Sequence, residues 1–371
     1  MGGPKHQHFI PRSYLKNFAE KRDEQYWVDT VMRGEQQQIK TLPITSVCVQ
    51  KNLYTLAVRD GEDRFAIEKY YASEVDGVYP AVYRMLADKS VSLITTEEKH
   101  RILNTILSLF FRTPRFLNQR ITGIYQLFEQ LAEAGGEDGE MLSIELPDGG
   151  RREFIRKDLD AEWEACIQQA KADFLVSHME EWRKFVDFKM GCGLEVITVP
   201  EELPLITCDN PVVVLGLNGQ PNYEDAFAIN NIIEVPIDKL SYLIIYPNNV
   251  SGDDTLRILR NQRDKHFSAG VNLTTQKNSD GRLIAFPGDL SAHFSSQESL
   301  GAFTEENVAH YLDFAQKTTL LWELTRLIQQ NDTALCNPVA NKVKELMKLP
   351  SMAEEPMIKK LVQLLTVHGY F

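Results

Sequence analysis

No apolar run in the 371 residues approaches the roughly 20 needed to cross a bilayer, which argues against a membrane-embedded chain. The opening MGGPKHQHF lacks the apolar stretch of a signal peptide, so the cytoplasm is the expected compartment. Positive charge is in the minority: 40 basic side chains face 52 acidic ones, a net charge of −12. A broad nucleic-acid-binding surface is therefore not expected, because a phosphate backbone needs clustered cations. The five cysteines include no Cys-x-x-Cys pair and resemble neither a disulfide framework nor a zinc ribbon. Also absent are the Gly-x-x-x-x-Gly-Lys-Ser/Thr loop, the Gly-x-Gly-x-x-Gly turn, the His-Glu-x-x-His helix and the Gly-x-Ser-x-Gly elbow. Nucleotide-loop, zinc-protease and serine-hydrolase readings lose their usual signals. No internal repeat or long low-complexity tract is present.

What the chain does have is enough apolar material for a large core, 43% hydrophobic against 25% charged residues. From Gln25 to Val58, aromatic and β-branched residues broken by polar turns predict two or three short strands. Helical spacing follows over Phe65–Leu86 and Thr96–Ala134, with Pro114 set to kink or end the second. Pro147-Asp148-Gly149-Gly150 predicts a hairpin within Leu142–Phe154, and Asp158–Phe188 reads as one long helix. Short apolar runs at Leu194–Val199, Val212–Leu215, Ile232–Pro236 and Tyr242–Tyr246 predict the main sheet. Beyond it the pattern predicts a helix over Asp254–Gln276, a strand over Arg282–Phe286, and helices over Thr304–Gln330, Ala340–Met347 and Pro356–Val367. The expectation is an α+β protein, mostly helical, with a mixed or antiparallel sheet. Residues 1–290 would form the core and residues 291–371 an all-helical C-terminal extension suited to homo-oligomer formation.

Four blocks in order carry a family resemblance. His8-Phe9-Ile10-Pro11-Arg12-Ser13-Tyr14-Leu15 resembles the His-x-x-Pro-x-x-Tyr-Leu opening of the domain-of-unknown-function 4238 family of uncharacterised bacterial proteins. Leu53-Tyr54, Phe111-Arg112-Thr113-Pro114-Arg115 and Ile206-Thr207-Cys208-Asp209-Asn210-Pro211 resemble its later blocks, with Cys208 where serine is usual. Val235-Pro236-Ile237-Asp238 is similar to its Pro-Leu-Ser strand, with Asn261 placed in a following helix. The resemblance covers about residues 5–290 and brings no established reaction with it.

The polar residues of these blocks are the candidates for chemistry. His6 and His8, two apart on an extended segment, would face one side and could share a metal or acid–base work; a histidine bonded to backbone beside Pro11 is the plainer alternative. Arg112 and Arg115 lie three apart on a helical face, where guanidinium forks suit phosphate or carboxylate, or pair with carboxylates such as Glu68 or Glu74. Asp209-Asn210-Pro211 follows a strand, a place for an active-site acid or for an Asx-turn. The expected function is a hydrolase, a nuclease or phosphodiesterase, acting on a phosphate-bearing substrate. In that reading His8 and Asp209 are catalytic and Tyr14, Arg112, Arg115 and Asn210 bind substrate, all in one cleft; any metal or cofactor stays open. The alternative is a non-enzymatic binding or sensor module for an anionic small molecule, with the C-terminal helices serving self-association.

Overall fold

The computed structural model describes residues 6–35, 38–56, 63–146, 149–216, 228, 231–248 and 255–299, with parts of 340–370. In chain order, strand β1 (His6–His8) leads into helix α1 (Arg12–Leu15), then β2 (Glu20–Arg22), β3 (Gln25–Met32), β4 (Lys40–Pro43) and β5 (Val49–Lys51). Helices α2 (Ala66–Tyr71), α3 (Tyr79–Ala87), α4 (Thr96–Phe111) and α5 (Pro114–Ala134) follow, then the hairpin β6 (Met141–Glu145) and β7 (Arg151–Ile155), and the 30-residue α6 (Leu159–Phe188). The remainder is β8 (Leu194–Thr198), β9 (Thr207–Cys208), β10 (Val213–Leu215), β11 (Ile232–Asp238), β12 (Ser241–Ile245), β13 (Ile258–Gln262), α7 (Lys265–Asn278), β14 (Arg282–Ala285) and α8 (Asp289–Ser299). A further helix runs over Pro356–Val367. The α+β expectation holds. The predicted helix over Thr304–Gln330 lies outside the described residues; within the predicted Ala340–Met347 helix, residues 340, 341, 343 and 344 are helical.

One five-stranded sheet runs β10-β11-β12-β8-β13, antiparallel except for the parallel β8–β13 pair, so it is mixed. Period-two alternation gives it two apolar faces. Leu194, Val196, Val235 and Leu243 join the large core with α4 and α6, while Ile197, Tyr242 and Ile244 pack with Phe267 and Val271 of α7. Helices thus cover both faces, and strand β8 is buried along most of its length. The second sheet has the order β2-β3-β14-β9, with β4 also on β3. It was not foreseen: the N-terminal strands pair with β14, about 250 residues later in the chain.

Two helix predictions are corrected. Residues 258–262 of the predicted Asp254–Gln276 helix form β13, putting Asn261 on a strand; the helix starts only after Asp264, whose carboxylate accepts from the backbone N–H of His266 and Phe267. The Phe65–Leu86 pattern is two helices joined by a π-helical turn, Ala72–Asp76, with Pro80 in the first turn of α3. Elsewhere the start and stop signals act as read. Thr95 and Glu98 form a reciprocal capping box on α4, of the kind worth about 1 kcal/mol. Thr113 caps α5 with Pro114 in its first turn, which fixes Arg112 at the break between α4 and α5.

Candidate anion-binding site at the N-terminal motif

Alternation along β1 turns Gln7 inward, where its side-chain oxygen accepts from the Tyr54 N–H at 2.7 Å. His6 is exposed and His8 half-buried. Pro11, extended at φ −55°, ψ 138°, ends that strand and starts α1, which drives Tyr14 and Leu15 into the core. The Tyr14 hydroxyl donates to the Pro236 carbonyl at 2.8 Å and lies 2.6 Å from the Thr207 hydroxyl, while Asn17 donates to the Ile237 carbonyl at 3.1 Å. The motif is thereby bonded to both sheets.

The structure sorts the predicted site residues into two networks. In the first, Arg112 is 1% exposed: one guanidinium nitrogen donates to Asp76 Oδ1 at 2.8 Å, another to the His8 carbonyl at 2.7 Å, and the plane lies 4.4 Å from the Tyr71 ring centre. Tyr54 donates to the Arg112 carbonyl. Burial opposes the charge on Arg112, but Asp76 and the phenols of Tyr54 and Tyr71 outweigh it and raise the guanidinium's pKa. In the second network, Arg115 pairs with Asp280 and donates to Asn278 Oδ1 at 2.8 Å. Asp209 accepts from the backbone N–H of Asp280, Gly281 and Arg282 at 2.8–3.0 Å and from the Ser279 hydroxyl at 3.3 Å. Burial raises the Asp209 pKa, an effect those backbone donors oppose. Asn278 ties the Asn210 and Val212 carbonyls. Of the two alternatives weighed for the arginines, the structure has them paired with carboxylates, with Asp76 and Asp280 in place of the examples Glu68 and Glu74, because the π-turn carries Asp76 to Arg112 and the α7–β14 turn brings Asp280 to Arg115. Among the described residues no hydrogen bond joins Asp209 to His8 or Arg112, so the two networks stand side by side.

Beside the first network lies a groove of about 540 Å³, lined by Arg12, Ser13 and Lys16 from α1, Tyr26 from β3, Ile44, and Asp76 from the π-turn. Arg12 makes no ion pair among the described residues, and the Lys16 ammonium sits 4.9 Å over the Tyr26 ring. The Ser13 hydroxyl is buried without a partner, as are His8 Nε2, Glu68 Oε2 and Arg112 Nε. Three groups that shape the His8 environment, Arg12, Ile44 and Asp76, also line the groove. Burial first, then the Arg12 charge, lowers the imidazole's pKa, against a hydrogen bond to the Ile44 backbone that raises it. His8 is therefore neutral at pH 7.

Sequence reading missed Arg12, Lys16 and Asp76. A signal existed in the Arg12-x-x-x-Lys16 spacing, which places two cations on one helical face inside the motif. Nothing local marks Asp76, whose role depends on the π-turn. Among the described residues no group of three or more His, Cys, Asp or Glu is arranged to hold a metal ion, and no helix is long and apolar enough to cross a membrane. No curated protein and no solved structure shows significant similarity to the chain. Residues 6–289 match the family model described as "Protein of unknown function (DUF4238)", and the chain belongs to that family.

Proposed function

We propose that the groove beside α1 binds a phosphate-bearing or other anionic small molecule, held by Arg12, Lys16 and Ser13. The observation that carries this reading is the combination of an unpaired guanidinium with a buried, unpartnered hydroxyl on one short helix. An anion would supply what both lack. Arg112 supports this site by bonding Asp76 of its wall, and Tyr14 by anchoring α1, whereas Arg115, Asp209 and Asn210 belong to the second network and line no part of the groove.

A second reading, phosphodiester hydrolysis, is favoured by His8 alone: a neutral imidazole with an unpartnered Nε2 is suited to take a proton from water, with Arg12 and Lys16 stabilising the charge that develops. Titration calorimetry with inorganic phosphate and a nucleoside monophosphate tests the first reading. Arg12→Ala and Lys16→Ala should each weaken binding about tenfold, the 1.4 kcal/mol expected of one charge-assisted contact. No heat in the parent protein, or an affinity in both variants equal to the parent's, refutes it. Turnover of a phosphodiester that disappears in His8→Gln would establish the second reading; binding without turnover leaves a sensor.

A further inference from the structure

The groove beside α1 carries acids as well as cations. Arg12, Ser13 and Lys16 come from one element, α1, whereas Asp76 comes from the π-turn and Glu24 from the turn between β2 and β3. A ligand of negative charge alone would be attracted by the helix and repelled by these two carboxylates. Charge complementarity across the groove calls for a molecule with both signs.

Of the two acids, Asp76 is the one held in place. Gly77, which follows it, closes the π-turn by donating its N–H to the Ala72 carbonyl at 3.0 Å, and a Cβ at Gly77 would come within 3.2 Å of the Ala72 and Ser73 carbonyl oxygens. Arg112 holds Asp76 Oδ1 at 2.8 Å from the interior side. The second oxygen has no partner among the described residues, and the side chain is 31% exposed. A contact already fixed in position loses little freedom when a ligand arrives. With one oxygen in use and one open, Asp76 also selects the kind of donor it can accept from. A guanidinium fork calls for both oxygens of a carboxylate, whereas an ammonium needs only one. Glu24 is exposed, makes no ion pair among the described residues, and adds a second negative charge at the rim.

On the strength of the anion reading above, which this narrows, we infer that the groove takes a zwitterion: a small amino phosphate whose phosphate lies against Arg12, Ser13 and Lys16 and whose primary ammonium donates to the open oxygen of Asp76. A soluble aminoalkyl phosphate and the headgroup of phosphatidylethanolamine share this chemistry.

Calorimetry of the full chain with three phosphate monoesters tests it. Ethyl phosphate has no nitrogen, phosphocholine has the positive charge without an N–H, and phosphoethanolamine has both. Phosphoethanolamine should bind about tenfold more tightly than ethyl phosphate, the gain of one charge-assisted hydrogen bond, and phosphocholine should fall short of it. Asp76→Asn can still accept from Arg112 through its carbonyl while presenting an amide N–H to the groove, so it should bring phosphoethanolamine and ethyl phosphate to equal affinity. Should that variant not fold, the three ligands in the parent protein decide the matter alone. Displacement of phosphoethanolamine by phosphatidylethanolamine vesicles would assign the chemistry to a lipid headgroup, and no displacement to a free amino phosphate. Binding of ethyl phosphate with no preference for phosphoethanolamine, or a preference that phosphocholine or Asp76→Asn retains in full, overturns the zwitterion and leaves the anion site standing. Absence of binding by all three ligands removes both.

Discussion

Several side chains chosen for their chemistry serve architecture. Arg112 illustrates it: its fork spans two acceptors, Asp76 and the His8 carbonyl, while its face covers Tyr71. Arg112→Ala strands the half-buried Asp76 and should cost on the order of 3–5 kcal/mol in denaturant unfolding. Arg112→Lys should recover little, since a point charge cannot reach both acceptors. A loss under about 1 kcal/mol would show that the pair is not holding the helix break. Asp209→Asn, which leaves one acceptor oxygen where two were used, should cost about 2–3 kcal/mol by the same measurement. Glu234 on β11 offers a test against pH. Burial raises its pKa to about 7, helped by the charge of Glu195 and opposed by the hydrogen bond from Tyr242. Its unfolded value is about 4.5, so between pH 4.5 and 7 the folded state holds the proton more tightly. Stability therefore falls as pH rises through that window. Glu234→Gln should remove the fall, a difference on the order of 2 kcal/mol by pH 7.5. Parallel melting curves for the two proteins from pH 4.5 to 7.5 would refute it.

Elements were legible where periodicity and punctuation agreed. Thr95–Glu98 and Pro114 did locally what their chemistry dictates, so α4 and α5 could be read directly, and the expected hairpin is present in the pairing of β6 with β7. Strand β13 was misread because Ile258 and Leu259 stand among polar residues, and only pairing with β8 makes them a strand. The candidate site was only partly legible: the motif around α1 was recognised, but Tyr14, named from it, is drawn inward, and Arg12 and Lys16, which line the groove, were not named. That short helix is tested by deletion. Removing residues 1–19 takes away the buried side chains of Ile10, Tyr14, Leu15 and Phe18, each worth roughly 1.5–3 kcal/mol. Their sum rivals the net stability of a typical domain, so the truncated protein should melt far lower or not fold. An unchanged melt would contradict the packing described.

At the scale of the whole molecule, one apolar cluster runs from α1 through α4 and α6 to strands of both sheets. Sheet and helix layers should lose structure together. Trp27 lies in β3 and Trp182 in α6, so fluorescence of single-tryptophan variants and far-ultraviolet circular dichroism should report one coincident transition. Separate midpoints would mean that the layers are independent. The pairing of β14 between β3 and β9 carries a further consequence, for the order in which the protein can be made. During synthesis β3 leaves the ribosome long before β14 exists, and at roughly 5–20 residues per second it waits on the order of ten seconds or more with an edge unpaired. Half of the second sheet is then exposed to other chains, which is the condition under which strands aggregate or recruit chaperones. A nascent chain stalled before β14 has emerged should be sensitive to protease across β3, and one stalled well after it should be protected.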